Sequence, residues 1–314
     1  MATAPAVPAV YAGTNPLAEA SVAPSTAKRY RRCLNAFLEW AAANGKRAVS
    51  ATDADAHLSA FSLHLFRSGG SRSTAEGALY GLQWALPSLH GCFPRAAQCL
   101  RGWTRLATSQ SHPPITWELA TLIGCRAARR GDVRFGIGVI VAFDCFLRRR
   151  EIVSLRREDI MDVDDARLRQ QCMLIILRDT KTGKNQNVRV VNPHVAALLR
   201  ALRAHTPAGQ RLFPFSKEQF ARMFKHECAL LSLSKRYVLH SLRHGGATHY
   251  YHRLSWRMED VIFRGRWRSP ISAARYIQAS AAVAASIAIP LFIAAAANFF
   301  ADSFHLFFRF ALGW

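Results

Sequence analysis

HSLRHGGATH, residues 240–249, puts three histidines and an arginine into ten positions. His240 and His244 stand four apart, so on a helix their imidazoles share one face, as two metal ligands would. Arg243 lies between them, and a fixed guanidinium repels a cation. The stretch also lacks the glutamate of an HExxH zinc pattern. As a helix start, with Ser241 the expected N-cap, it aims free backbone N–H groups at an anion. His240, just outside the helix, and Arg243, in its first turn, would then face that anion together.

An anionic partner suits the rest of the chain. Its 314 residues carry 42 Lys and Arg against 20 Asp and Glu, a formal net charge of +22, and half are apolar. That much apolar content excludes a mainly disordered chain, and the basic surplus points to a polyanion, usually nucleic acid. The surplus is confined to 28–278: residues 1–27 hold no Lys or Arg, and 279–314 hold only Arg309. Only seven of the cations are lysines, among them Lys28, Lys181 and Lys184. Each is notable, because a lysine can surrender a proton and an arginine cannot. Seven scattered cysteines without a CxxC pair argue against a disulfide framework and a cysteine zinc site. With no secretory signal pattern at the N-terminus, the expected location is intracellular, with DNA.

The pattern along the chain predicts a mainly α fold with one small antiparallel β-sheet. Residues 1–24 read as a flexible arm. Residues 25–108 read as a small helical domain, with helices from about Ser25, Asp55, Ser73 and Pro94. Residues 112–278 read as a second domain of helices interrupted by two strands, CMLIIL (172–177) and NVRVV (187–191), joined by a turn at Gly183. MDVDDA (161–166) reads as a turn between a helix and a strand rather than as a metal cage. The tail 279–314 is apolar: AAVAASIAIPLFIAAAANFF (281–300) has no charge. It is alanine-rich and interrupted by Pro290, which argues against a membrane span. Docking on the protein's own core, or on a neighbouring subunit, is the expectation.

Phosphodiester chemistry proceeds with carboxylate-held metals or with a side-chain nucleophile, fixed cations and a proton donor. The acids here are few and local, which disfavours the first route without excluding it, and no cofactor is expected. The second has its parts. FLRRREIVSLRREDI (146–160) sets Arg148 and Glu151 three apart, the arginine aimed at a phosphate and the glutamate orienting it. TKTGK (180–184) places Lys181 at a hairpin turn as a potential general acid. GRWRSPISAARYI (265–277) supplies Trp267 and Tyr276. Taken singly, each has a plainer reading: a solvated arginine run, a surface lysine, two core aromatics.

Together, in this order and spacing, Arg148, Glu151, Lys181, His240-x-x-Arg243, Trp267 and Tyr276 resemble the tyrosine recombinases, the class of phage integrases. The likeness is strongest over 112–278. It extends through SxAKRYRRCLNAFLEWA (25–41, x being Thr26) to a helical core-binding domain over 25–108. The resemblance implies an α+β catalytic domain in which Tyr276 attacks the scissile phosphate and leaves a 3′-phosphotyrosyl bond. Arg148 and Arg243 would hold the phosphate oxygens, Lys181 would protonate the leaving 5′-oxygen, and His240 would position the phosphate and move the tyrosine proton. Trp267 stands where many members carry histidine, and its N–H can donate but not accept. Double-stranded DNA would be the partner, touched by Lys28, Arg29, Arg31, Arg32, Arg149, Lys184 and His244, and four protomers would form the synapse. Two departures stand out: Phe146 replaces a small residue, often glycine, and NVRVVN replaces the usual Arg-x-Val-Pro-Leu run. They keep open a domesticated DNA-binding protein of the same fold. A type IB topoisomerase is the other rival, against which the compact N-terminal domain and the HSLRH spacing argue.

Overall fold

The chain divides into two units, Met1–Gln110 and Ser111–Trp314. The computed structural model describes residues 16–107, 112–165, 170–180 and 183–312 of it. Most of the expected arm falls outside the described residues. At its end Pro16–Glu19 (α1) forms one helical turn, and Glu19 pairs with Arg31 at 2.5 Å.

Four further helices build the first unit: α2 (Pro24–Ala43), α3 (Ala51–Arg67), α4 (Arg72–Ala85) and α5 (Pro94–Leu106). Leu34 and Phe37 of α2, Leu58 and Phe61 of α3, Leu79 of α4 and Trp103 of α5 close its core. Helix α3 begins four residues before the expected Asp55. Ser50 is the reason: its hydroxyl accepts the Asp53 N–H at 3.1 Å and donates to the Asp53 carboxylate at 2.8 Å. Asp55 thereby turns inward, where its carboxylate accepts the Arg95 and Ala96 N–H groups at 3.0 and 2.9 Å. It caps α5 from another helix, beside a Pro94 that brings no N–H of its own.

The second unit is organised around α6 (Trp117–Arg129) and α7 (Val133–Asp144), whose apolar residues are almost all buried. After α8 (Arg149–Ser154) comes a three-stranded antiparallel sheet in the order β1 (Ile160–Asp165), β2 (Gln170–Thr180), β3 (Gly183–Val190). Ile160 faces Ile175, and Ile175 faces Val188. MDVDDA is therefore mostly strand β1 rather than a turn. Pairing along β2 overrides the low β-propensity of aspartate. Asp162 is compensated by Arg200, which donates to it at 2.6 and 2.9 Å from α9 (Pro193–Ala204).

Helices α10 (Lys217–Leu230), α11 (Leu239–His252), α12 (Met258–Gly265) and α13 (Pro270–Ala274) follow. Pro290 splits the tail into α14 (Ala279–Ile287) and α15 (Leu291–Leu312). As expected, the tail docks on its own core. Ile293, Ala297, Phe304 and Phe308 are buried, and Phe304 meets Trp117 edge-on with ring centroids 5.4 Å apart. Leu291–Phe310 is also long and apolar enough to cross a membrane, and Phe292, Phe299 and Phe310 on α15 are exposed.

Candidate active site

Two helix ends with the same unusual backbone frame the site. At the end of α7 the Leu147 N–H donates to the Ala142 carbonyl at 3.0 Å, with Phe146 left-handed at φ 49°. At the end of α12 the Trp267 N–H donates to the Ile262 carbonyl at 3.2 Å, with Arg266 left-handed at φ 55°. Glycine is the usual occupant of such a stop because any side chain is strained there. Here both side chains are large and both are buried.

The first stop makes Arg148 the N-cap of α8. Its backbone N–H donates to Glu151 Oε2 at 2.8 Å and its guanidinium to Glu151 Oε1 at 2.6 Å. Glu151 is buried, and Arg266 donates to its Oε2 at 2.8 Å. Burial opposes the carboxylate charge, but Arg266 and then Arg148 outweigh it and hold the pKa below the usual value. The expected orienting contact between Glu151 and Arg148 is therefore present, with a second arginine that the sequence did not suggest.

Helix α11 lies backbone-to-backbone against this corner. A Cβ on Gly245 would sit 2.0 Å from the Ile115 carbonyl oxygen, and one on Gly246 would sit 2.2 Å from that of Phe143. The helix starts at Leu239, so Ser241 is not its N-cap. The Ser241 hydroxyl instead accepts the Val238 N–H at 3.2 Å, reaching back to the cap residue from the first turn. His240 thus lies within the helix and Arg243 a turn deeper than expected.

Arg243 is fully buried and donates to the carbonyls of Phe146 and Gly265. Its guanidinium carbon sits 4.5 Å from the Trp267 ring centre and 5.4 Å from that of Tyr276. Burial, then the charges of Arg148 and Arg266, push its pKa down to about 9, which still leaves it charged at neutral pH. Three guanidiniums thus lie close together while one carboxylate, Glu151, pairs with two of them, Arg148 and Arg266, a surplus that suits an anion.

His240 Nε2 lies 3.2 Å from Tyr276 Oη. Burial first, then His244, Arg243, His112 and Arg148, pushes the His240 pKa down to about 4. The imidazole is neutral at pH 7 and keeps a lone pair for a hydroxyl proton. His244, expected against DNA, is instead buried and stacks on the Tyr276 ring at 4.5 Å. Burial leads in pushing its pKa to about 4 as well. Trp267 lies 4.8 Å from Tyr276, ring to ring, and its indole N–H is buried without a partner.

Six of the expected residues therefore converge: Arg148, Glu151, His240, Arg243, Trp267 and Tyr276. Lys181 and the side chain of Lys184 lie outside the described residues. Arg149, Lys28 and Arg32 are exposed, Arg29 donates to Ser73 at 3.2 Å, and Arg31 is held by Glu19. Sequence reasoning missed Arg266 and Thr248. The Thr248 hydroxyl donates to the Tyr276 carbonyl and accepts the Gln278 N–H, both at 3.1 Å, and ties the tyrosine segment to α11. The signal for Thr248 was its place on HSLRHGGATH, five residues after Arg243.

The model of the phage integrase family matches residues 125–282, half of the chain. The chain belongs to the phage integrase family. No curated protein matches the chain in sequence. Solved structures share its fold. A lambda integrase (75–356) dimer bound to a COC′ core site has a TM-score of 0.59 at 15% identity, covering 84% of this chain and 92% of that one. The Tn1549 transposon integrase (82–397), in complex with circular intermediate DNA, has a TM-score of 0.54 at 13% identity, covering 74% and 81%. The chain spans 65% of a longer lambda integrase chain that it matches at a TM-score of 0.51 and 15% identity.

Proposed function

We propose that this chain is a site-specific DNA recombinase, of the kind mobile elements carry, that cuts and rejoins duplex DNA through a phosphotyrosine at position 276. The observation that carries this reading is the 3.2 Å approach of His240 Nε2 to Tyr276 Oη, with Arg243 beside the same tyrosine ring and Arg148 near Arg243 and His240. The Tyr276 hydroxyl gives its proton to neutral His240 and its oxygen attacks phosphorus. The P–O5′ bond breaks, and the 5′-oxygen leaves with a proton, for which Lys181 is the family's donor. Rejoining reverses each step, and the phosphotyrosine conserves the bond energy throughout. Arg148 and Arg243 stabilise the charge that grows on the non-bridging oxygens. Arg243 is covered by Tyr276 and Trp267, so a phosphate reaches it once the tyrosine ring has swung off. Double-stranded DNA is the substrate, held by phosphate contacts from the basic surface of 28–278, and strand exchange takes four protomers.

The test is covalent capture in EDTA from a library of nicked duplexes with a randomised core. A protein–DNA adduct that survives denaturation, vanishes in Tyr276→Phe and enriches one sequence is expected. Adducts without enrichment, together with relaxation of any supercoiled plasmid, would favour a topoisomerase. No adduct at all would leave a DNA-binding protein.

A further inference from the structure

We propose that Arg266 is a positioning residue for the phosphate clamp, fixing Glu151 and the Phe146 carbonyl and, through them, Arg148 and Arg243. The inference rests on reading this site as a phosphate site. Glu151 has two oxygens and divides them: Oε1 takes the Arg148 guanidinium, and Oε2 takes Arg266 together with the Arg148 backbone N–H. Without Arg266, that carboxylate is left with Arg148 as its one ion-pair partner and is free to rotate onto it. Arg148 would then be drawn back from the phosphate.

The second link is the Phe146 carbonyl, which accepts from both Arg243 and Arg266, the latter at 3.3 Å. Arg266 also donates to the Arg264 carbonyl at 3.0 Å, which locks its own end. Its backbone adds an independent argument. At φ 55° a glycine would be relaxed and an arginine is strained. A large residue kept at a strained position, with its side chain aimed inward, indicates a use for that side chain. The side chain is only 4% exposed, so it does not touch DNA and acts through its neighbours.

The probe is orthovanadate, a pentavalent phosphate mimic, titrated calorimetrically into the full chain. Arg266→Gly suits the backbone and deletes the guanidinium, so the variant is expected to fold. It should bind vanadate about ten-fold more weakly, the scale of one lost charge-assisted contact. Arg266→Lys, which keeps the charge but not the fork, should fall between the two and serves as the readout if the glycine variant unfolds. In a Glu151→Gln background, Arg266→Gly should add at most about two-fold, because its charged route is already cut and only the longer 3.3 Å contact to the Phe146 carbonyl remains. Parental vanadate affinity in Arg266→Gly, losses that multiply in the double variant, or no vanadate binding by the parent would each overturn the assignment. Parental vanadate binding without any covalent DNA adduct would instead overturn the recombinase reading and leave the positioning role standing.

Discussion

Phe146 shows how one residue balances two opposed terms. The left-handed backbone costs about 1–2 kcal/mol, whereas its ring is fully buried, 5.3 Å from Tyr250 and 6.2 Å from Trp267. Removing such a ring costs about 3–5 kcal/mol. Phe146→Gly should therefore destabilise the protein by roughly 2–3 kcal/mol, despite relaxing the left-handed backbone. Denaturant unfolding checks it, and a gain in stability would refute it. The histidines supply a second expectation. His240 and His244 have folded pKa values near 4 against an ordinary 6.5. The unfolded chain takes up protons first, so their contribution to stability is full above about pH 6.5 and drains away as the pH falls toward 4. An NMR titration should place both imidazole midpoints near 4. Covalent DNA capture should keep its rate from pH 7 to about 5; a loss centred on 6.5 would mean that His240 is not the neutral acceptor.

At the scale of elements, the close packing of α11 makes a sharp prediction. Gly245→Ala forces a methyl to within 2.0 Å of the Ile115 carbonyl oxygen, so the helix must shift and carry Arg243 with it. A loss of about 1–3 kcal/mol is expected, together with weaker vanadate binding. Parental values for both would sink it. Asp55→Ala should cost about 1–2 kcal/mol by uncapping α5, which amide exchange localised to the first turn of α5 would reveal. These two elements also show what was legible in advance. Helices with regular apolar spacing were readable, because burial on one face leaves a 3.6-residue trace. Arg148, His240, Arg243, Trp267 and Tyr276 were readable because their spacing could be judged as a set. Strand β1 was not, because Asp162 takes its charge partner from α9, 38 residues away. Arg266 was hidden by a run of arginines, and what sets it apart is a backbone angle that composition does not encode. The start of α11 was misjudged because a serine hydroxyl can reach backward as well as forward.

For the whole molecule, the tail decides whether the second unit holds. Ile293, Ala297, Phe304 and Phe308 lie in the same core as α6 and α7. Losing three large side chains and an alanine from it removes roughly 5–8 kcal/mol of burial, comparable with the 5–15 kcal/mol that typically holds a domain together. A chain ending at Ala288 should therefore be recovered unfolded or aggregated, as circular dichroism and soluble yield will tell. Phe299→Ser, on the exposed side of α15, should change stability by less than about 0.5 kcal/mol. A well-folded truncated protein would show that the tail is an appendage.

The same docking has a consequence for biosynthesis. Trp117 leaves the ribosome long before Phe304, the residue that covers it. At ordinary elongation rates the gap is roughly ten to forty seconds. Throughout that interval α6 presents bare apolar surface in a nascent chain whose first unit can already have folded. The grouping of His240, Arg243 and Tyr276 is thus withheld from any partial translation product: a ribosome that stalls before α15 releases a chain whose second unit lacks part of its core and is open to degradation.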